Sequence, residues 1–217
     1  MGNPARTRLG LFGGSFDPVH VGHLHAASAA REAFDLSRIV FVPARQSPFK
    51  PGRQLAPGAD RVEMLRLALR GRPGFEVNDL ELRRTGPSYT IDTVRALPAE
   101  LGLPEDVSIH LILGSDVLDG FAGWREARAL LERVQPIVVY RAGSSGDAFE
   151  EHVAELERKL GPALASKVRA GYLRLPPVPA SATEVRARLP GSAGELLDLP
   201  PEVLAYIRER GLYGAGT

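Results

Sequence analysis

The chain has 217 residues, 44% of them hydrophobic and 24% charged, and it contains no cysteine. That length suits one ordinary domain or two small ones, and a compact chain of this size buries roughly 70% of its unfolded surface without covalent staples. Disulfides, thiolate metal sites and cysteine nucleophiles are excluded. A balance of 27 basic to 26 acidic residues argues against a duplex-DNA binder held by phosphate contacts, yet leaves a small anionic substrate open.

Along the chain, short β-branched or aliphatic runs alternate with segments of helical period. The expected strands are Leu9–Phe12, Ile39–Val42, Phe75–Val77, Val107–Leu113, Ile137–Tyr140 and Tyr172–Leu175. Helices are expected near 21–34, 60–70, 90–97, 124–133 and 148–160, the fourth carrying Trp124, Ala127, Leu130, Leu131 and Val134 on one face. Two short helices close the chain, about 181–189 and 201–210, the second opened by Pro201 and ended by Gly211. Gln46–Pro57 and Ala142–Gly146 read as insertions.

Strands too apolar to face water, alternating with helices, imply an α/β doubly wound parallel sheet with helices on both faces. The whole chain, 1–217, then forms a single domain, with a core over about 7–176 and a short C-terminal helical appendage over about 180–213. Such a sheet binds its ligand beyond the carboxyl ends of the strands where strand order reverses, so residues following Phe12, Val42 and Leu113 should converge on one crevice. No run of 18 apolar residues exists to span a bilayer and the N-terminus lacks a signal-peptide core, so no membrane partner and a cytoplasmic location are expected.

The segment Gly13-Gly-Ser-Phe-Asp-Pro-Val-His20-Val-Gly-His23 lies between the first strand and the first helix. Its glycines allow close approach of a ligand to the backbone, and Pro18 stiffens the turn. With His20 and His23 three apart in the first helical turn, unpaired amides, the helix dipole and two imidazole donors would all favour a phosphate. Capping histidines on a glycine turn are the plainer reading, and a zinc site would need a third ligand that His25, on another face, does not supply. Placement directly after the first strand favours a nucleotide site.

This eleven-residue segment resembles the signature of the HxGH-type nucleotidyltransferases, specifically the bacterial nicotinate mononucleotide adenylyltransferases. The resemblance implies a Rossmann-like domain that joins ATP to nicotinate mononucleotide, giving nicotinate adenine dinucleotide and pyrophosphate, with Mg2+ held mainly by substrate phosphates and no protein metal site. By the same resemblance, His20 and His23 contact the ATP phosphates, and Gly13, Gly14, Ser15 and Phe16 line the nucleotide. Ser47-Pro48-Phe49-Lys50 resembles a loop that ends Pro-Pro-His-Lys in the family, with Phe49 in place of the usual histidine. Lys50, kept in a chain whose other basic residues are almost all arginine, is assigned to phosphate as a point charge.

Three further segments match in order. Ser88-Tyr89-Thr90 opens a segment similar to the one that holds the pyridine carboxylate near a helix start, and Ser88 or Thr90 could cap that helix. Gly114-Ser-Asp116 and Trp124 match residues that contact ribose hydroxyls and stack on the nicotinate ring, although Gly120 stands where some relatives carry Tyr. The alternative for this lone tryptophan is core packing. Ser181-Ala-Thr183-Glu-Val-Arg186 resembles a phosphate-binding motif, with Ala182 replacing its second serine, and reads locally as a capping box between Ser181 and Glu184.

The substrates implied are ATP and nicotinate mononucleotide, with no nucleic acid expected and self-association left open. Nicotinamide mononucleotide is a closer competitor than the acceptors of the phosphopantetheine and glycerol-phosphate transferases. A non-catalytic nucleotide or RNA binder would draw on the seven basic and two acidic residues between Arg45 and Arg72, which otherwise read as a solvated helix face.

Overall fold

The structure, a computed structural model, describes residues 7–46, 54–104, 106–141, 146–190, 194 and 196–215. Six strands are present: β1 (Arg8–Gly14), β2 (Arg38–Pro43), β3 (Phe75–Val77), β4 (Ser108–Gly114), β5 (Val134–Arg141) and β6 (Tyr172–Leu175). All pair in parallel in the order β3-β2-β1-β4-β5-β6. Parallel neighbours need crossovers, and here these are helical: α1 (Val21–Ala33), α2 (Gly58–Leu69), the short α3 (Leu80–Arg83), α4 (Thr90–Glu100), α5 (Ala127–Arg133), α6 (Gly146–Leu160) and α7 (Pro162–Ala170). The C-terminal pair is α8 (Ala182–Arg188) and α9 (Pro201–Glu209).

The two-residue period of the strands divides the core. Leu9, Leu11, Val40, Val42, Ile109, Leu111, Leu113 and Val138 meet residues of α4, α5, α6 and α7 on one face. Phe12, Ile39, Phe41, Ile112, Ile137 and Val139 meet those of α1, α2, α8 and α9 on the other. These strand residues are all under a tenth exposed, which is why the runs read as continuously apolar rather than alternating. The C-terminal helices therefore complete one layer: Tyr206 donates to the buried Asp60 of α2 at 2.7 Å, and Arg210 donates to the same carboxylate at 3.3 Å.

Four local expectations need correction. The fourth helix begins at Ala127 rather than 124, because Glu126 takes a left-handed conformation (φ 52°) that interrupts the turn, so Trp124 lies in the loop before it. That helix passes into β5 without a loop, and Val134 belongs to the strand. The helix expected to end before Pro98 runs on to Glu100, its last turn closed by Leu101 N–H donating to the Leu97 carbonyl at 3.0 Å. Helices α3 and α7 were not anticipated; α7 starts at a Gly161-Pro162 pair that also reads as a turn.

Between β1 and β4 the strand order reverses. Phe12 pairs with Ile112, and Gly14 with Pro43 of β2, so the carboxyl ends of β1, β2 and β4 stand side by side, as the sequence implied. No helix among the described residues is long and apolar enough to cross a membrane.

Candidate active site

The loop after β1 turns inward at Phe16, a non-glycine residue at φ 46° whose ring is 1% exposed. That ring lies 5.6 Å from Phe12, 5.6 Å from Phe41 and 5.1 Å from His23. A Cβ at Gly14 would come within 3.1 Å of it, whereas one at Gly13 would meet nothing within 4 Å. Gly14 thus makes room for the Phe16 ring, and Gly13 leaves open space at the strand end for an approaching ligand.

His20 is buried and extended at the N-cap of α1, and its ring stacks on His23 with centroids 3.8 Å apart. The His20 backbone N–H donates to Nδ1 of His23 at 3.3 Å. An accepting Nδ1 places the proton of a neutral imidazole on Nε2, the donor that a phosphate oxygen requires. Gly22 completes this arrangement, since a Cβ there would lie 3.0 Å from both Cε1 and Nδ1 of His20. The first-turn amides contribute less than the sequence suggests. Val21 N–H already donates to the Asp198 carbonyl at 2.9 Å and His23 N–H to the His20 carbonyl at 3.0 Å, so these two amides are engaged within the protein.

At the end of β4, a Cβ on Gly114 would sit 2.4 Å from Oδ1 of Asp116, so the missing side chain lets that carboxylate fold back over the strand end. Gly120 adopts φ 78°, a left-handed conformation that favours glycine there. Trp124 follows, half-buried and packed 4.7 Å from Phe121 at the edge of the core. Its two readings meet in this position, as one side of the ring packs inward while the residue remains partly accessible.

Neither Ser88 nor Thr90 caps α4; Tyr89 occupies the N-cap position without a side-chain cap bond. Ser88 instead joins α4 to the exit of β2, its Oγ accepting from Arg45 N–H at 3.0 Å and its N–H donating to the Gln46 carbonyl at 3.0 Å. The guanidinium of Arg125 lies 4.6 Å above the Tyr89 ring, and Arg125 is 3.7 Å from Asp92.

Ser181 precedes α8 at its N-cap, but makes no capping hydrogen bond, so the expected capping box with Glu184 is absent. Thr183 Oγ1 accepts from Arg186 at 3.2 Å. Arg186 also donates to the Asp17 carbonyl at 2.6 Å and lies 3.7 Å from its carboxylate. The starts of α1 and α8 touch: a Cβ at Gly22 would be 3.5 Å from Ala180. His20, His23, Ser181, Thr183 and Arg186 therefore gather at one end of the β1 loop. Lys50 and Phe49 lie outside the described residues.

Two buried charged residues that hold the loop have no signature motif of their own in the sequence. Asp17 is 2% exposed beneath the loop, and Arg61, also 2% exposed, donates to the carbonyls of Ser15, Ala44 and Ala56 at 2.8, 2.8 and 3.0 Å. Burial pushes the Arg61 pKa down, and the nearby Asp17 opposes that shift. The Arg-rich run is thus not wholly a solvated face. Its signal was helical spacing, for Arg61 falls four residues before the buried Leu65.

A family model described as cytidylyltransferase-like matches residues 11–188. A protein of Dehalococcoides mccartyi described as a probable nicotinate-nucleotide adenylyltransferase is 38% identical over 206 residues, covering 95% of this chain and 97% of its own length. One of Gloeobacter violaceus with the same description is 42% identical over 212 residues, covering 95% and 96%. Among solved structures, the Plasmodium falciparum nicotinic acid mononucleotide adenylyltransferase complexed with NaAD superposes with a TM-score of 0.72 over 97% of this chain and 98% of that one. At 17% identity that likeness speaks for the fold.

Proposed function

The chain belongs to the nicotinate-nucleotide adenylyltransferases within the cytidylyltransferase-like family, and from that premise we propose that the crevice at the β1–β4 switch joins ATP to nicotinate mononucleotide through His20 and His23. A 5′-phosphate oxygen of the mononucleotide forms a bond to the α-phosphorus of ATP. The bond from that phosphorus to its bridging oxygen breaks, and pyrophosphate leaves with the electron pair. A phosphate monoester, with a second pKa of about 6, is already largely dianionic at neutral pH, so no general base is required.

What the protein must do is bring two anions together and spread the charge that develops between them. The Nε2–H of His23, its ring held by His20, Phe12 and Phe16, suits the transferring phosphoryl group. Arg186, Ser181 and Thr183 stand beside it as candidates for the departing phosphates, and Lys50 retains the phosphate role its sequence context implies. Gly13, Gly14, Ser15 and Phe16 form the wall along which the nucleotide would lie. Asp116 would suit vicinal ribose hydroxyls, and Ser88, Tyr89, Thr90 and Trp124 would take the pyridine, stacking on its ring or holding its carboxylate.

Among the described residues no group of three histidines or carboxylates could hold a metal ion. A magnesium ion held mainly by the substrate phosphates would supply charge neutralisation on the triphosphate it accompanies.

The observation that carries this reading is the His20–His23 stack, with Nδ1 of His23 engaged, beside the open space at Gly13. Replacing His23 with Ala should lower kcat by roughly 100-fold, as loss of one transition-state donor does elsewhere, without unfolding the chain. A folded variant with wild-type turnover would overturn the assignment.

A further inference from the structure

The C-terminal segment reaches the β1 loop through one side chain. The hydroxyl of Tyr213 donates to Oδ1 of Asp17 at 2.7 Å, and the Ala56 amide donates to the same oxygen at 3.1 Å. Oδ2 of Asp17 faces Arg186 at 3.7 Å, while Arg61 fastens the neighbouring carbonyls of Ser15, Ala44 and Ala56. Three segments distant in sequence, at Ala56, Arg186 and Tyr213, therefore meet on a carboxylate that is 2% exposed. Its two oxygens divide the work, one taking Tyr213 and Ala56, the other facing the arginine.

The backbone at Tyr213 is costly to hold. It is a non-glycine residue at φ 57° and ψ 24°, between Gly211 at φ 60° and Gly214 at φ 72°. Left-handed backbone costs an ordinary residue about 1–2 kcal/mol, and such outliers persist where the surroundings over-determine them. The other end of the contact is similar, since Phe16, next to Asp17, is also left-handed. Burial, and then the hydrogen bond to Asp17, raises the Tyr213 pKa far above the ordinary phenol range, so it acts as a fixed donor across the working pH range.

We propose that Tyr213 is a positioning residue for adenylyl transfer: its hydroxyl orients the Asp17 carboxylate, and Asp17 in turn sets where Arg186 presents its guanidinium to the nucleotide phosphates. This rests on the adenylyl-transfer reading of the crevice. It differs from a simple tether of the C-terminus, because α9 has its own tether in the Tyr206–Asp60 bond, also 2.7 Å long and made to a different carboxylate.

That second bond supplies a matched control. Tyr213→Phe and Tyr206→Phe each delete one hydroxyl donating to a buried carboxylate, so a structural role predicts similar losses of Tm and no difference in chemistry. The positioning role predicts that Tyr213→Phe alone lowers kcat, by roughly tenfold, given that a 1 Å misplacement can cost about 100-fold. KM for nicotinate mononucleotide should stay within about twofold of wild type, the mononucleotide being held elsewhere. In an Arg186→Ala background the further loss from Tyr213→Phe should shrink below about twofold, because the two residues act in series.

Pyrophosphate release by the purified full chain, with ATP and nicotinate mononucleotide, reads all three effects. Equal kcat for the two tyrosine variants, or losses that multiply fully in the double variant, would overturn the proposal. Should Tyr213→Phe not fold, Asp17→Asn provides the decisive measurement: it keeps an oxygen for Tyr213 and Ala56, removes the charge facing Arg186, and must lower kcat likewise. An inactive wild-type chain would instead overturn the reading of the crevice, a separate failure.

Discussion

The Gly22→Ala substitution separates the chemistry of the histidine pair from the stability of its helix. The new Cβ would lie 3.0 Å from Cε1 and Nδ1 of His20, against roughly 3.5–4.0 Å for an unstrained contact. The His20 ring must therefore retreat by about half an ångström. It is 3% exposed and stacked 3.8 Å from His23, so it cannot swing into solvent and the displacement passes into the pair. If a 1 Å misplacement costs about 100-fold, half that distance costs about tenfold, or about 1.4 kcal/mol of barrier. Alanine in a helix is otherwise favoured over glycine by up to about 1 kcal/mol, which offsets much of the contact strain. The expected variant has kcat about tenfold lower and a Tm within about 4 °C of wild type, about 1 kcal/mol of stability for a chain this size. Steady-state pyrophosphate release and a thermal melt measure the two quantities. Wild-type kcat in the folded variant would refute the claim that this ring packing is set for catalysis.

Gly13→Ala should leave the melt of the free protein unchanged, since the new Cβ meets nothing within 4 Å, but raise KM for ATP and reduce the stabilisation ATP confers; an unchanged ATP titration would show that no ligand approaches there. Burial lowers the pKa of His110 on β4, with a partly compensating backbone bond to Ser108 and further lowering from Arg8 and Lys167. The folded state therefore favours the neutral ring, and the stability it contributes is full above an unfolded pKa of about 6.5 and declines as pH falls below it. His110→Leu should thus lose less stability than wild type between pH 7.5 and 5.5 in urea titrations, and identical pH slopes would contradict this. Lys167 donates to the Leu131 and Glu132 carbonyls at 2.7 and 3.3 Å, capping the end of α5. Lys167→Met should lower stability by about 1 kcal/mol and leave kcat unaltered, as read by denaturant titration and turnover.

The strand pattern and the switch-point crevice were legible because strands of a parallel sheet buried on both faces read as unbroken apolar runs with no polar face to confuse them. The histidine pair was legible because its spacing and its place after β1 occur together. Less readable were contacts made between segments distant in sequence. Ser88 looks like a helix cap and instead receives the Arg45 amide; Ser181 looks like half of a capping box and makes no cap bond. Trp124 has helical spacing with Ala127 and Leu131, yet a left-handed Glu126 separates it from the helix. Local spacing assigns no role to Arg61 or Tyr213. Their roles arise only when the chain folds, with Arg61 bonding carbonyls of the β1 and β2 loops and Tyr213 reaching Asp17, and of these only Arg61, aligned with a buried helical stripe, left a trace in the pattern.

The central claim is that this crevice transfers the adenylyl group intact from ATP to nicotinate mononucleotide. Incubation of the purified chain with both substrates, using ATP labelled at the α-phosphorus, tests it most directly. The label is predicted in nicotinate adenine dinucleotide, with one unlabelled pyrophosphate released per dinucleotide formed. Label recovered only in AMP, or remaining in ATP while the mononucleotide binds, would contradict the account.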